Sequence, residues 1–261
     1  MMLPVIPDKY VSPMWRTFND SLIKDMYPDV PASFLRHPAI ENTMHSRGAV
    51  YTADRIEWLE KHYKCDFDFL ARMLHETAVG DPYISVERYM ASDVTVGHLF
   101  HIAKYRQTTG NNLPERGTIV EWGGGYGNLA RMVKTIHPGC TYIIIDSPIM
   151  TSIQHFYLSF FTDARLFDGS IHSGKVNLVS LNHLEKLEFD ADMFISTWAF
   201  NESTEACGEY VESRDWFNAE RYLIAYLPGS FNIPRIERLA DDTDAKILPV
   251  DFLPPNKYLM R

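Results

Sequence analysis

The sequence predicts an α/β fold whose core is an open, mostly parallel sheet. Three observations carry this prediction: a β-α-β unit with a glycine-rich first turn at residues 118–146, strand-like segments that alternate with helical ones up to residue 226, and two strand-like segments near the carboxyl terminus. Alternating strands and helices are typical of parallel sheets, which bind their ligands at the carboxyl ends of the strands.

The β-α-β unit begins at residues 118–120, a β-branched apolar run typical of a buried parallel strand. A loop with four glycines follows at residues 121–128. The next helix has apolar residues spaced i, i+3, i+4 and i+7, and a Pro-Gly pair ends it. The second strand, residues 141–145, is followed directly by Asp146.

This glycine loop predicts a nucleoside-containing ligand. Glycines allow positive φ and close approach of a ligand to the backbone, and the following helix offers unpaired N–H groups. Asp146, at the tip of the second strand, can accept hydrogen bonds from both hydroxyls of a ribose. Two motifs fit the loop. The dinucleotide pattern G-x-G-x-x-G/A is met loosely by residues 125–130, and E-x-G-x-G-x-G is met by residues 121–127.

The second pattern resembles motif I of the class I S-adenosylmethionine-dependent methyltransferases, with Asp146 as their ribose-binding acid. Glu121 lies two residues before the first glycine, where these enzymes often hold an acid near the methionine end of the cofactor, and a carboxylate there would repel a pyrophosphate. The unit also begins after more than a hundred residues of other sequence, and the C-terminal end does not repeat the β-α-β pattern cleanly. The resemblance implies a Rossmann-like sheet with an antiparallel last strand.

The same resemblance implies S-adenosylmethionine as cofactor and S-adenosylhomocysteine as product. We expect the following residues to bind it: Glu121, Gly123, Gly125, Tyr126, Gly127, Asp146, Ser147, Leu181, Asn182, Ser196 and Thr197.

Outside this unit, helices are predicted at about residues 20–26, 54–60, 67–77, 95–108, 148–161 and 210–217, and strands at 175–180, 192–197, 220–226, 246–250 and 257–260. Residues 1–13 are expected to run extended. We divide the chain into a helical cap, residues 1–115, that would build the acceptor pocket, and a cofactor-binding domain, residues 116–261.

Composition excludes several classes of protein. The 261 residues carry a formal net charge of -9, which argues against nucleic acid as a partner. No apolar run approaches the roughly 20 residues of a membrane helix, and no signal peptide is recognisable at the start. The three cysteines are scattered, as expected of reduced thiols in a cytoplasmic protein. The oligomeric state stays open, a homo-oligomer included.

The loop after the fourth strand offers groups for methyl transfer. Glu202 could bind sugar hydroxyls or act as the general base, and Asn201 could bind the acceptor. Trp198 or Phe200 could cover a sulfonium by a cation–π contact. The alternative is that Glu202 caps the next helix together with Ser203 and Thr204, since caps use the same residue types.

A second source of a general base is the helix before the first strand. His98 and His101 are three residues apart and are expected to share a helical face, and the histidine pKa suits proton transfer near neutral pH. The alternative is a pair of structural histidines. No acid lies on the same face, and Asp241 and Asp242 fall in a polar stretch, so we predict no required metal.

At a finer level the chain resembles the bacterial sugar O-methyltransferases over about residues 90–230. The resemblance rests on residues 98–101, 121–131, 142–148, 177–179 and 196–202. It implies a cytoplasmic enzyme that methylates a hydroxyl of a sugar or of another small molecule that carries a sugar. A regulatory protein that binds the cofactor without turnover remains an alternative, followed by an NAD-dependent oxidoreductase.

Overall fold

The computed structural model describes residues 7–45 and 51–261, and the described residues form one eight-stranded sheet with helices on both faces. The strands are β1 Thr118–Trp122, β2 Thr141–Asp146, β3 Ala164–Leu166, β4 Val176–Ser180, β5 Met193–Thr197, β6 Arg221–Tyr226, β7 Lys246–Pro249 and β8 Lys257–Met260. Their order across the sheet is β3-β4-β2-β1-β5-β6-β8-β7.

The sheet is parallel except for β8, which runs antiparallel to both of its neighbours, β6 and β7. This confirms the predicted Rossmann-like sheet with its antiparallel last strand. β1 lies between β2 and β5, so the chain moves outward from β1 in opposite directions. That point is the topological switch, where a crevice opens at the carboxyl ends of the strands.

The α-helices are α1 Pro13–Met26, α2 Pro38–Thr43, α3 Thr52–His62, α4 Phe67–Leu74, α5 Asp93–Thr109, α6 Asn128–Ile136, α7 Pro148–Leu158, α8 Ala199–Glu202, α9 Glu205–Ser213 and α10 Ile233–Thr243. α1 to α7 cover one face of the sheet, where Ile119 and Tyr142 lie in the same apolar cluster as Leu22 and Leu99. α8 to α10 cover the other face, against Val120 and Ile143. The division into a cap and a cofactor-binding domain stays a prediction.

Several predicted elements need correction. The first helix begins at Pro13, because proline suits the first helical position, and not near residue 20. The segment predicted as a helix at 210–217 is interrupted: α9 ends at Ser213, and Trp216 and Phe217 adopt positive φ. β3 and α10 were not expected. Of the start predicted to be extended, residues 1–6 lie outside the described residues.

Within the described part of the chain, no helix combines the length and the apolar character needed to cross a bilayer.

Candidate functional site

A cavity opens where β1 and β2 end, at the topological switch point. Its empty volume is about 600 Å³ with its mouth and open solvent included, and switch points of this kind are preferred positions of small-molecule sites. The first turn of the β-α-β unit lines it with Gly123 and Gly125, and the end of β2 lines it with Asp146 and Ser147. Leu181, just after β4, adds an apolar wall.

The first turn keeps its shape because three of its glycines adopt positive φ: 74° at Gly123, 53° at Gly125 and 96° at Gly127. A Cβ atom on Gly123 would overlap the side chain of Ala199, and one on Gly127 would lie 2.9 Å from a Leu158 methyl carbon. The turn therefore packs directly on α8 and α7, and Gly125 lies at the cavity wall beside Met44.

Asp146 is held in a fixed orientation at the cavity wall. One carboxylate oxygen accepts a hydrogen bond from the Ser147 N–H at 2.7 Å, and the other accepts one from the Gln154 side chain at 2.9 Å. Burial raises the pKa of Asp146 to about 7, and hydrogen bonds from Ser147, Gln154 and Gly124 oppose that shift. Two carboxylate oxygens offer about four acceptor sites, so capacity remains for ligand hydroxyls.

Gln154 was missed by the sequence analysis. Its amide N–H groups donate both to Asp146 and, at 2.8 Å, to the Gly125 carbonyl, so one buried side chain joins the acid to the glycine turn. The available signal was a polar residue on the otherwise apolar face of α7 formed by Ile153 and Tyr157.

Glu121 lies beneath the glycine turn and does not line the cavity, in contrast to the expected contact with the cofactor. Side chains alternate along a strand, so Trp122 faces the cavity while Glu121 points to the opposite face of the sheet. There Glu121 accepts a hydrogen bond from the hydroxyl of Tyr142, on β2, at 3.0 Å. The side chain is 1% exposed. Burial, with a smaller effect of the Asp146 charge, raises its pKa to about 8 against the hydrogen bond from Tyr142.

Five other residues predicted to bind the cofactor are not among the lining residues of this cavity: Tyr126, Gly127, Asn182, Ser196 and Thr197. Tyr126 is buried against Tyr157. The Ser196 hydroxyl donates to the Trp122 carbonyl and accepts the Phe200 N–H, both at 2.9 Å, so it fixes the start of α8.

The N-terminal segment covers the cavity, which no motif in the sequence indicated. Tyr10, Trp15 and Asn19 are among its lining residues. The Asn19 side-chain oxygen accepts a hydrogen bond from the Ser147 hydroxyl at 2.8 Å, and the Cys207 thiol donates to the Tyr10 carbonyl at 3.2 Å. The segment is thereby attached to the start of α7 and to α9.

The residues that follow β5 lie beside this cavity. Trp198 has φ of 68°, its indole N–H donates to the Asn256 side chain at 2.6 Å, and its ring packs edge-on against His101 with centroids 5.4 Å apart. Asn201 is buried. Glu202 stands at the surface beside Trp15; partial burial raises its pKa, and a hydrogen bond with the Trp15 side chain lowers it.

The cap of α9 is Thr204 and not Glu202. The Thr204 hydroxyl accepts the Cys207 N–H at 3.3 Å, which is the contact of an N-cap. Glu202 therefore has no capping function, and its carboxylate stays available at the rim of the site.

The two histidines of α5 point to different neighbours, although they are three residues apart. The ring of His98 meets Asn128 of α6, whereas His101 meets Tyr258 of β8 at 2.5 Å, and the ring centroids are 6.4 Å apart. Burial lowers the pKa of His98 to about 3, with a contribution from Arg131. Burial also lowers the pKa of His101 well below its usual range, helped by His98 and Arg55. Both rings are neutral at pH 7.

The hydrogen bonds of Asn128 fix the tautomer of His98. Its side-chain oxygen accepts from Arg131 at 2.8 Å and from Tyr157 at 3.1 Å, so its NH₂ group faces His98. The Nδ1 of His98 must then accept, and its Nε2 carries the hydrogen. Neutral His98 is therefore a donor at Nε2.

No metal centre is evident in residues 7–45 and 51–261, where no three His, Cys, Asp or Glu side chains gather as ligands. The expectation that no metal is required stays a prediction.

No protein-family model and no curated protein sequence matches this chain. Solved structures that resemble it include three methyltransferases. For magnesium protoporphyrin IX methyltransferase from Synechocystis PCC 6803 with bound SAM, the identity is 14%, the match covers 79% of this chain and 95% of that one, and the TM-score is 0.45. For precorrin-6y C5,15-methyltransferase from Geobacter metallireducens GS-15, the identity is 11%, the match covers 65% of this chain and 87% of that one, and the TM-score is 0.43.

For human N-acetylserotonin methyltransferase in complex with SAM, the identity is 11%, the match covers 85% of this chain and 68% of that one, and the TM-score is 0.41. At identities and TM-scores this low, the likeness carries no argument about activity. The fold of this chain follows from its own strand order.

Proposed function

We propose that this protein is an S-adenosylmethionine-dependent O-methyltransferase that acts on a hydroxyl of a sugar or of another small molecule carrying a sugar. The observation that carries the proposal is the fixed carboxylate of Asp146 beside a glycine turn, at the wall of a cavity at the switch point of the sheet. The motif at residues 121–127 favours S-adenosylmethionine over a dinucleotide.

The residues of the cavity fit this cofactor. The Asp146 oxygens have acceptor capacity for the two ribose hydroxyls, and Gly125 brings the backbone of the turn to the cavity wall. Leu181 and Met150 provide apolar walls suited to an adenine ring, and Trp122 provides an aromatic one. When bound, the cofactor would supply an electrophilic methyl group on a sulfonium. Glu121 would support the turn from beneath, without touching the ligand.

We assign the general base to His101, with Glu202 as the alternative at the rim. If the Nδ1–H of His101 donates to the Tyr258 oxygen, its Nε2 holds the lone pair that can take a proton from the acceptor hydroxyl. His98 cannot do this at Nε2, since that atom carries a hydrogen; it can donate a hydrogen bond to the acceptor instead.

Trp198 and Asn201 would contact the acceptor, because they follow β5 directly and Trp198 packs against His101. The N-terminal segment would exclude water from the cofactor, since Tyr10 and Trp15 already form part of the cavity wall. An acceptor hydroxyl would then lie between α5 and the loop after β5.

A turnover assay tests this proposal. Wild-type protein and His101→Gln are incubated with S-adenosylmethionine and a panel of sugars and methyl glycosides, and release of S-adenosylhomocysteine is followed by mass spectrometry. We expect acceptor-dependent release by the wild type and a loss of about 10²–10⁴-fold in the variant, with S-adenosylhomocysteine binding retained. Equal turnover by both proteins would contradict the assignment of the base. Tight cofactor binding without any acceptor-dependent release would instead favour a non-catalytic protein.

A further inference from the structure

Arg55 of α3 is a buried cation that forms no ion pair with any of the described residues. The residue is 9% exposed, and its Nε atom is fully buried with no hydrogen-bond partner in the described part of the chain. None of the ion pairs found among the described residues includes it. A buried charge is costly unless it is paired and hydrogen-bonded.

The groups around Arg55 do not neutralise it. Burial lowers the pKa of its guanidinium, while Tyr258 and Asp93 raise it, and the Phe100 ring lies 5.9 Å away. The Asp93 carboxylate accepts the Thr52 hydroxyl at 2.5 Å and forms no ion pair with Arg55. Arginine remains protonated even when its pKa is lowered, so the charge persists.

A methyl-sized gap lies beside this guanidinium. Outside its own helix backbone, a Cβ atom built on Gly97 of α5 would meet one atom of the described residues within 4 Å, Nη1 of Arg55 at the ordinary contact distance of 3.6 Å. Glycine within a helix is destabilising relative to alanine. The missing side chain therefore lets the backbone of α5 approach the charge.

The gap lies next to the proposed catalytic groups. His101 is one turn after Gly97 on the same face of α5, and it is hydrogen-bonded to Tyr258. Tyr258 pairs with Ala225 of β6, whose carbonyl accepts the Trp198 N–H at 2.7 Å. Arg55, His101 and Trp198 are thus linked at the carboxyl edge of the sheet.

We propose that Arg55 binds a carboxylate or phosphate group of the methyl acceptor on the side of α5 that carries Gly97 and His101. The acceptor would then be an anionic molecule, such as a uronic acid or a sugar phosphate, and not a neutral sugar. A guanidinium suits this role because its planar set of donors matches both anions in bidentate geometry. The inference rests on the proposed function, because only that function makes the molecule that carries the anion the methyl acceptor.

Melting temperatures of Arg55→Met, Arg55→Lys and the wild type test whether the charge serves the fold. Because no described residue forms an ion pair with this charge, we expect Arg55→Met to raise Tm by about 2–4 °C. Arg235→Met is the matched control, since Arg235 is similarly buried but is paired with Glu212 at 3.2 Å; its Tm should fall. A fall for Arg55→Met as large as that of the control would overturn the proposal.

Anion titrations then test the site. Sodium phosphate and sodium acetate are each compared with sodium chloride at equal ionic strength. We expect at least one of them to raise the Tm of the wild type beyond the effect of chloride, Arg55→Lys to keep part of that rise, and Arg55→Met to lose it. Phosphate alone would indicate a sugar phosphate, and acetate alone a uronic acid.

The proposal falls if neither anion exceeds chloride, or if Arg55→Met shows the same rise as the wild type. Its failure is distinguishable from failure of the proposed function, because these melting curves need no cofactor. A parallel titration with S-adenosylhomocysteine tests the function: a protein that responds to anions through Arg55 but does not bind this ligand has an anion site without being a methyltransferase.

Discussion

Replacing Glu121 with glutamine should remove much of the pH dependence of stability. Burial raises the pKa of Glu121 to about 8 in the folded protein, against a reference value of 4.5. Between those pH values the folded state binds more protons than the unfolded state, so the free energy of unfolding falls as pH rises. One pKa unit corresponds to about 1.36 kcal/mol. Because of Glu121 alone, the free energy of unfolding of the wild type should therefore fall by about 4 kcal/mol from pH 5 to pH 9.

The assay is urea unfolding of the wild type and Glu121→Gln at pH 5, 7 and 9. Glutamine keeps the shape and can still accept the Tyr142 hydroxyl, but it cannot ionise. Asp146, whose pKa is also raised, titrates in both proteins, so most of its effect cancels in the comparison. We expect the free energy of unfolding of the variant, relative to that of the wild type, to rise by about 4 kcal/mol from pH 5 to pH 9. Parallel pH profiles would refute a neutral, buried Glu121.

Three further changes should have specific effects. Asp146→Asn should weaken S-adenosylhomocysteine binding and abolish its pH dependence. In the wild type, affinity should fall up to tenfold per pH unit below about 7, because Asp146 becomes protonated. Calorimetry at pH 5 to 8 checks this, and the same change of affinity with pH in both proteins would contradict it. Gly123→Ala should cost about 1–3 kcal/mol, since φ is 74° and the new methyl group would overlap Ala199; denaturant melts with Gly110→Ala as control measure it. Lys134→Met should cost about 2–4 kcal/mol, since three backbone carbonyls lose the ammonium that donates to them at 2.6–2.9 Å.

The β-α-β unit could be read from the sequence because local patterns determine it. β1 begins at Thr118 and β2 ends at Asp146, both as expected, since apolar runs, a glycine turn and a Pro-Gly stop all agree. The closing hairpin of β7 and β8 was also confirmed. β3 escaped detection because it has only three residues, two of them exposed at the edge of the sheet.

The site was harder to predict, because most of its contacts join distant parts of the chain. His98 and His101 were expected on a shared face, yet α5 is buried between α6 and β8, so each ring meets a different neighbour. Asn19 is 128 residues away from its partner Ser147. Arg55 had no motif around it, and the lack of a hydrogen-bond partner for its Nε atom among the described residues is visible only once its neighbours are known.

Calorimetric titration of the wild type with S-adenosylmethionine, S-adenosylhomocysteine and NAD tests the central claim most directly. The account predicts one site per chain with micromolar affinity for the first two ligands, no heat with NAD, and loss of binding in Asp146→Ala. Binding of NAD alone, or S-adenosylhomocysteine affinity that is unchanged by Asp146→Ala, would contradict the assignment of the glycine turn and of its ribose-binding acid.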